Sequence, residues 1–215
     1  MDDLRPFLRR RPDGRCRLMG ILNVTPDSFH AASRVDVDTA VERGLEMWNV
    51  GADWVDVGGE STRPGATPVD AMEEAARVVP VIQALRQANH TGRISIDTRR
   101  SEVALAALDA GANMVNDVSG LRDPAMEELV IERGCAVCIM HMQGEPGNMQ
   151  QNPTYDDVVS EVHESLTSTA NRLASKGHDS AMICLDPGIG FGKNLTHNLE
   201  LLHSRSNSDL SLIHI

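Results

Sequence analysis

What most constrains the fold of this chain is a rhythm. A short apolar run, a tip rich in glycine and polar residues, and a segment of helical periodicity follow one another repeatedly. The apolar runs lie at 18–23, 54–57, 93–97, 113–117, 136–140 and 182–186. Each is nearly continuous in Val, Ile, Leu or Met, as parallel strands covered on both faces require. Helical stripes lie between them. Val37, Val41, Leu45 and Trp48 recur at steps of four, four and three, with Gly51 placed to stop the helix. Met72, Ala75, Ala76, Val79 and Ile82 form a second stripe, with Asp70 and Glu73 spaced as a capping box. Ser101 is positioned to cap a third helix that Gly111 ends, and Asp123-Pro124 opens a fourth that Gly134 closes. Tyr155, Val158, Val159, Val162, Leu166, Ala170 and Leu173 form the longest stripe. Strands alternating with helices predict a parallel α/β sheet, either open and doubly wound or closed as a (β/α)8 barrel.

The polar residues favour the barrel. Asn23, the GGESTR run at 58–63, Asp97, Asn116 with Asp117, His141 and Asp186 all fall at or just past the C-terminal end of a predicted strand. In an open sheet the site gathers at a switch point between a few strands, whereas in a barrel every strand end converges on one mouth. The loop at 58–65 offers backbone N–H groups, a hydroxyl and a guanidinium suited to a diphosphate, although a structural loop accounts for its Gly and Pro equally well. Asp97, Asn116 and Asp186 have the acceptors and donors to hold the edge of a flat heterocycle, and each alone could equally cap a turn. Met140 could line an apolar pocket or fill core.

Charge and cysteines restrict the partners. The 215 residues carry 20 Lys and Arg against 31 Asp and Glu, a net −11 that disfavours nucleic acid and anionic membrane surfaces. No run approaches the ~20 apolar residues of a membrane span. Arg9, Arg10 and Arg11 are followed by Pro12 and Asp13 in place of a signal peptide's apolar stretch, so the chain reads as a soluble cytoplasmic protein. Cys135 and Cys138 have CxxC spacing, but three residues apart on a strand they point to opposite faces and make no metal or redox pair. Cys16 and Cys184 read as small buried residues. The histidines show no metal-ligand spacing, and a nucleophile motif is absent.

Taken in order, the strings MGILNVTPDSF at 19–29, DVGGESTRPG at 56–65, ISIDT at 94–98, NDVSG at 116–120, MHMQG at 140–144 and LDPGIGFGK at 185–193 resemble the first six strand ends of the dihydropteroate synthases. The resemblance implies a (β/α)8 TIM barrel with about six of eight units present. It also implies a transferase of folate biosynthesis, which joins 6-hydroxymethyl-7,8-dihydropterin diphosphate to 4-aminobenzoate and releases diphosphate. By the same resemblance, Asn23 would help bind Mg²⁺ on the diphosphate. Thr62, Arg63 and Pro64 would lie near phosphate and aminobenzoate, with sulfonamides as competitors. Asp97, Asn116 and Asp186 would hold the pterin as the catalytic set, Met140 would line its pocket, and Phe191 would contact the aminobenzoate side. The full-length form would be a homodimer. HAAS at 30–33 departs from the family's usual loop.

The reading divides the chain into an N-terminal extension (1–15), a pterin-binding barrel carrying strands one to six (16–202), and a non-native tail (203–215). Six strand ends average about 33 residues per repeat, so an eighth would fall near ~250. Strands seven and eight, with the family's Lys, Arg and His, are therefore expected to be absent, leaving strands one and six as open edges and this chain inactive alone. A pterin-binding methyltransferase barrel of the methyltetrahydrofolate type and a non-catalytic pterin-binding fragment are the alternatives.

Overall fold

The computed structural model describes residues 3–24, 34–61 and 69–204. Six strands form one sheet: β1 (Met19–Asn23), β2 (Trp54–Gly58), β3 (Ile94–Asp97), β4 (Met114–Asp117), β5 (Ala136–Met140) and β6 (Ile183–Asp186). All five pairings are parallel, and the spatial order is the sequence order. A doubly wound sheet reverses direction at a switch point, so sequential order leaves the barrel wall as the architecture. The crossovers carry α1 (Arg34–Asn49), α2 (Ala71–Ala88), α3 (Ser101–Ala110), α4 (Pro124–Arg133) and α5 (Val158–Ser175), and α6 (Leu195–Ser204) follows β6. Among the described residues no strand joins β6 to β1, and no helix is long and apolar enough to cross a membrane.

Most helix ends follow from local chemistry. The Asp123 carboxylate accepts from the Ala125 N–H and Pro124 occupies the first turn, while Gly134 closes α4 at φ +56°, a left-handed conformation that glycine adopts without a Cβ penalty. Three expectations fail. Met72 is 85% exposed and Ala76 also faces solvent, so α2 buries Glu74, Val78, Val81, Ile82 and Leu85, a stripe rotated from the expected one. The rotation brings Glu74 to Arg100, whose Nη1 donates to it at 2.6 Å, a long-range pairing that helical periodicity cannot reveal. Asp70 does cap α2 through the Glu73 N–H, but the Glu73 side chain pairs with Arg77 and leaves the box half formed. Ser101 is not a cap: Arg100 holds that position, and the Ser101 hydroxyl donates to Asp123 across the α3–α4 boundary.

Alternation along the strands builds two cores. Val55, Val57, Ile94, Ile96, Val115, Val137 and Ile139 face outward and pack under the helices. Met19, Trp54, Met114, Ala136, Cys138 and Cys184 face inward at the N-terminal ends of the strands, where Leu4 and Leu8 close the floor. Cys135 belongs to the outer core and Cys138 to the inner one, so the CxxC thiols diverge as expected; Cys16, against expectation, is only half-buried. The N-terminal segment is fixed by chemistry as well as packing. The Trp54 indole N–H donates to the Phe7 carbonyl at 3.1 Å, Arg93 lies over the Phe7 ring, and Arg11 and Arg17 each donate to Asp53 at 2.7 Å.

Truncating Leu8, which is 4% exposed, leaves a void against the floor that neighbouring strands cannot collapse to fill. Leu8→Ala should therefore lower unfolding free energy by about 2–3 kcal/mol in a urea titration followed by tryptophan fluorescence. A surface appendage would lose less than about 0.5 kcal/mol.

Candidate active site

Parallel register aligns the ends of β1 to β4 with one another, and those of β5 and β6 with each other. Asn23 pairs with Gly58, Gly58 with Asp97, and Asp97 with Asn116, while Met140 pairs with Asp186 on the other side of the wall. These residues share the inward parity of the floor residues two or four positions earlier in each strand. Asn23, Asp97 and Asn116 thus form one register row, while Asn116 is in register with Cys138, so Met140 and Asp186 stand one inward step further along; all five face inward at the mouth. Phe191, in the loop after β6, packs against the cluster of Val118, Met140, Met142 and Met149 and so borders the same mouth. Thr62, Arg63 and Pro64 lie outside the described residues, as does the departure at 30–33.

The layer is acidic and poorly solvated. Burial raises the Asp97 carboxyl well above its usual range, and the surrounding charges of Asp56, Glu74, Asp117 and Glu60 push it further. Asn116 is buried, and its Nδ2 donates at 3.0 Å to Asp56 Oδ2 on β2. Asp117 has a structural task. Its two oxygens accept from the Ser119 and Leu121 N–H groups and shape the turn after β4. Asp186 Oδ1 similarly accepts from the Gly188 N–H at 2.7 Å, which leaves its carboxylate at the mouth with a fixed orientation.

Rim charges anchor the loops. Glu60 accepts from Arg99, from both terminal nitrogens of Arg100 and from the Val69 N–H, so residues 60 and 69 stand on one base. Burial raises the Glu60 carboxyl, but the hydrogen bond and charge of Arg100 more than offset this and hold it below its usual range. Glu145 then bridges Arg99 to Arg122, linking the loops after β3, β4 and β5.

Two residues given no role by sequence reasoning matter here. Asp56 interrupts an otherwise apolar strand, a signal available in the sequence. Lys193 closes the glycine-rich run after β6, yet it is 2% exposed. Its Nζ donates to the carbonyls of His141, Gly188 and Phe191 at 2.9–3.1 Å and lies 3.1 Å from His141 Nδ1. An ammonium at that distance requires Nδ1 to accept, which places the ring proton on Nε2. Burial lowers the Lys193 pKa to about 8 against the opposing pull of Asp186. Gly188 makes the arrangement possible: it sits at φ +64°, and a Cβ there would lie 2.0 Å from the His141 carbonyl oxygen.

A parallel wall of six βα units with acidic and amide side chains at its C-terminal mouth defines a barrel-type α/β protein with a polar strand-end site. Residues 19–207 match the family described as pterin binding enzymes, and the chain belongs to that family. It is 46% identical over 186 residues to the dihydropteroate synthase of Escherichia coli K12, covering 86% of this chain and 66% of that protein. It superposes on the Yersinia pestis dihydropteroate synthase, solved with a sulfonamide drug complex, with TM-score 0.82 and 43% identity over 89% of this chain and 70% of that one. The Burkholderia cenocepacia dihydropteroate synthase complexed with 7,8-dihydropteroate gives TM-score 0.78 and 44% identity over 89% and 65%. The chain therefore spans about two thirds of the length of these relatives.

The site makes a definite prediction about His141. Burial, followed by the charges of Lys193 and Arg122, lowers its pKa from 6.5 to about 4. The unfolded chain takes up this proton near pH 6.5 and the folded ring only near 4, so His141 subtracts stability as pH falls through that window. Histidine NMR should show His141 neutral down to about pH 5, and Lys193→Met should raise its midpoint. An unchanged midpoint in the variant would separate Lys193 from the ring.

Proposed function

We propose that the mouth of this barrel is the pterin-holding part of a dihydropteroate synthase site, acting on a dihydropterin methyl diphosphate and 4-aminobenzoate. The observation that supports it best is the inward-facing set of Asp97, Asn116, Asp186 and Met140 at the strand ends. Carboxylates and an amide meet the N–H and amino edge of a pterin, and a methionine wall faces its ring. The Burkholderia relative's complex with 7,8-dihydropteroate supports the same occupant.

Electrostatics suit the chemistry. Departure of diphosphate leaves positive charge on the pterin methylene, and a pocket in which four acidic neighbours already press on Asp97 stabilises such charge. A cationic ring beside Asp97 would relieve that repulsion and draw the carboxyl back toward its ionised form. The aminobenzoate amine then needs placement more than activation. Phe191, bordering the Met140 cluster, is set to supply one wall of its slot. Thr62, Arg63 and Pro64 are assigned to phosphate and aminobenzoate by the family resemblance, and sulfonamides would compete there.

Mg²⁺ fits the donors present only as a partner of the diphosphate. Among the described residues no three His, Cys, Asp or Glu side chains are grouped to hold a metal. Asn23 Oδ1 and Asp97 Oδ2 flank Gly58, where a Cβ would lie 3.6 and 3.4 Å from them, so glycine leaves open the space between two oxygen donors. Mg²⁺ commonly keeps its waters and is held by one or two protein oxygens plus substrate phosphates. Once bound, it would neutralise charge on the leaving diphosphate, while Asn23 would orient it.

The free thiols are compatible with a reducing cytoplasm, and a homodimer for the full-length form rests on the family resemblance alone. A methyltransferase barrel of the methyltetrahydrofolate type would share the Asp and Asn layer, but the relatives above are dihydropteroate synthases.

Titration calorimetry of the 215-residue chain with 6-hydroxymethyl-7,8-dihydropterin should detect binding. Asp97→Asn, Asn116→Ala and Asp186→Asn should each weaken it about 10–100-fold, or about 1.4–2.7 kcal/mol. A coupled diphosphate-release assay should show turnover for a version extended with a full family C-terminus and little for this chain. Comparable turnover by the two would place the whole catalytic apparatus within these residues, and unchanged binding in all three variants would sink the pterin assignment.

A further inference from the structure

One inward step below Asp97 and Asn116 lies a fully buried polar pair given no ligand contact in the reading above. Asp56 on β2 and Ser95 on β3 are in register, both inward-facing, and are 3% and 0% exposed. A carboxylate at this depth is costly unless hydrogen bonds compensate it. Its one aligned bond comes from above, from Asn116 Nδ2 at 3.0 Å. Asp56 Oδ1 and Asn116 Oδ1 are both buried and have no partner, and the Ser95 hydroxyl stands beside Asp56 without an aligned bond.

The two ends of an amide side chain have opposite hydrogen-bonding character, and a neighbour with a fixed preference decides which end points where. A carboxylate only accepts, so it draws the amino end of Asn116 down toward β2. The carbonyl end is thereby turned away from Asp56 Oδ2 and is a buried acceptor without a partner. Burial raises the Asp56 carboxyl, and a proton taken up there would sit on the unpartnered Oδ1, leaving Oδ2 to accept from Asn116 as before.

We infer that Asp56 is a positioning residue, which holds the Asn116 amide with its carbonyl toward the ligand and so makes the site select a ring that presents N–H or amino donors at that edge. The inference rests on the pterin reading and deepens it: with Asp97 and Asp186 also accepting, the pocket offers acceptors on three sides. It should prefer a 2-amino-4-oxo ring over the otherwise identical 2,4-dioxo ring. Without Asp56, Asn116 can turn its amino group to a ring carbonyl, and the preference should collapse.

The test compares the affinities of the 215-residue chain for 6-hydroxymethylpterin and 6-hydroxymethyllumazine. The wild-type protein should favour the pterin at least tenfold. Asp56→Leu, of similar size and without acceptors, should reduce that ratio at least fivefold, beyond any uniform loss of affinity. The exchanged pair Asp56→Asn with Asn116→Asp should restore it, because an Asp at 116 accepts on both sides while an Asn at 56 donates to it. If Asp56→Leu fails to fold by circular dichroism, the exchanged pair and NMR of the wild-type protein decide. The Asn116 side-chain N–H engaged by Asp56 should be shifted downfield and protected from exchange. A wild-type chain that binds neither ring overturns the pterin reading and this inference with it. A chain that binds pterin while Asp56→Leu keeps the ratio within twofold, or whose Asn116 amide exchanges freely, overturns the positioning role alone.

Discussion

The parallel hydrogen-bond register of the six strands is the constraint on which everything else depends. Because side chains alternate with a period of two, the pairing of Asn23 with Gly58, Gly58 with Asp97 and Asp97 with Asn116 fixes a whole layer at once. A slip of one residue on β3 would turn Asp97 into the helix-facing core and bring Ile96, which is fully buried there, into the mouth. The apolar outer face therefore specifies the polar inner one. Val55, Val57, Ile94 and Ile96 cannot be moved to the interior without exposing the helices' own apolar stripes, so the packing energy of the outer core secures the alignment of groups that contribute little packing themselves.

Charge is distributed in two zones with different duties. Around the rim, Arg99, Arg100 and Arg122 are each committed to a carboxylate and, for Arg100 and Arg122, to backbone carbonyls as well. These pairs fix loop bases. Inside the mouth Asp97 stands among Asp56, Glu74, Asp117 and Glu60 with its acidity suppressed by burial and repulsion. The interior around Asp97 is thus short of positive charge. The one buried ammonium, among the described residues, is Lys193, and its hydrogen bonds go to three carbonyls and a histidine ring of the loops after β5 and β6.

The strands were the most legible part of the sequence. Each apolar run matches a strand to within a residue, and Asn23, Asp97, Asn116 and Asp186 are legible because a polar residue stands at or next to the end of such a run, whereas Met140 is reached only through the family resemblance. What sequence could not show depended on partners far along the chain. The buried face of α2 is not legible from periodicity because Glu74, a polar residue, is buried against Arg100, 26 residues on. Asp56 and Lys193 acquire their roles only from atoms on other strands and loops. The Ser101 cap failed for a similar reason: its hydroxyl is taken by Asp123 at the start of the next helix.

The barrel floor also bears on the order in which this chain can assemble. Leu8 and Arg5 precede all six strands, but the Leu8 carbonyl receives the Cys184 thiol and Arg5 binds Asp179, contacts separated by 176 and 174 positions. Closing such a loop is entropically expensive and must await nearly the whole wall. Until β6 has been made, the first residues have only part of their seat, and the inner faces of Trp54 and Met114 are left uncovered from below. The floor is therefore a late seal, set after β6 arrives by a segment made before β1. For the nascent protein, that interval is when its interior is most open to chaperones, proteases and wrong partners.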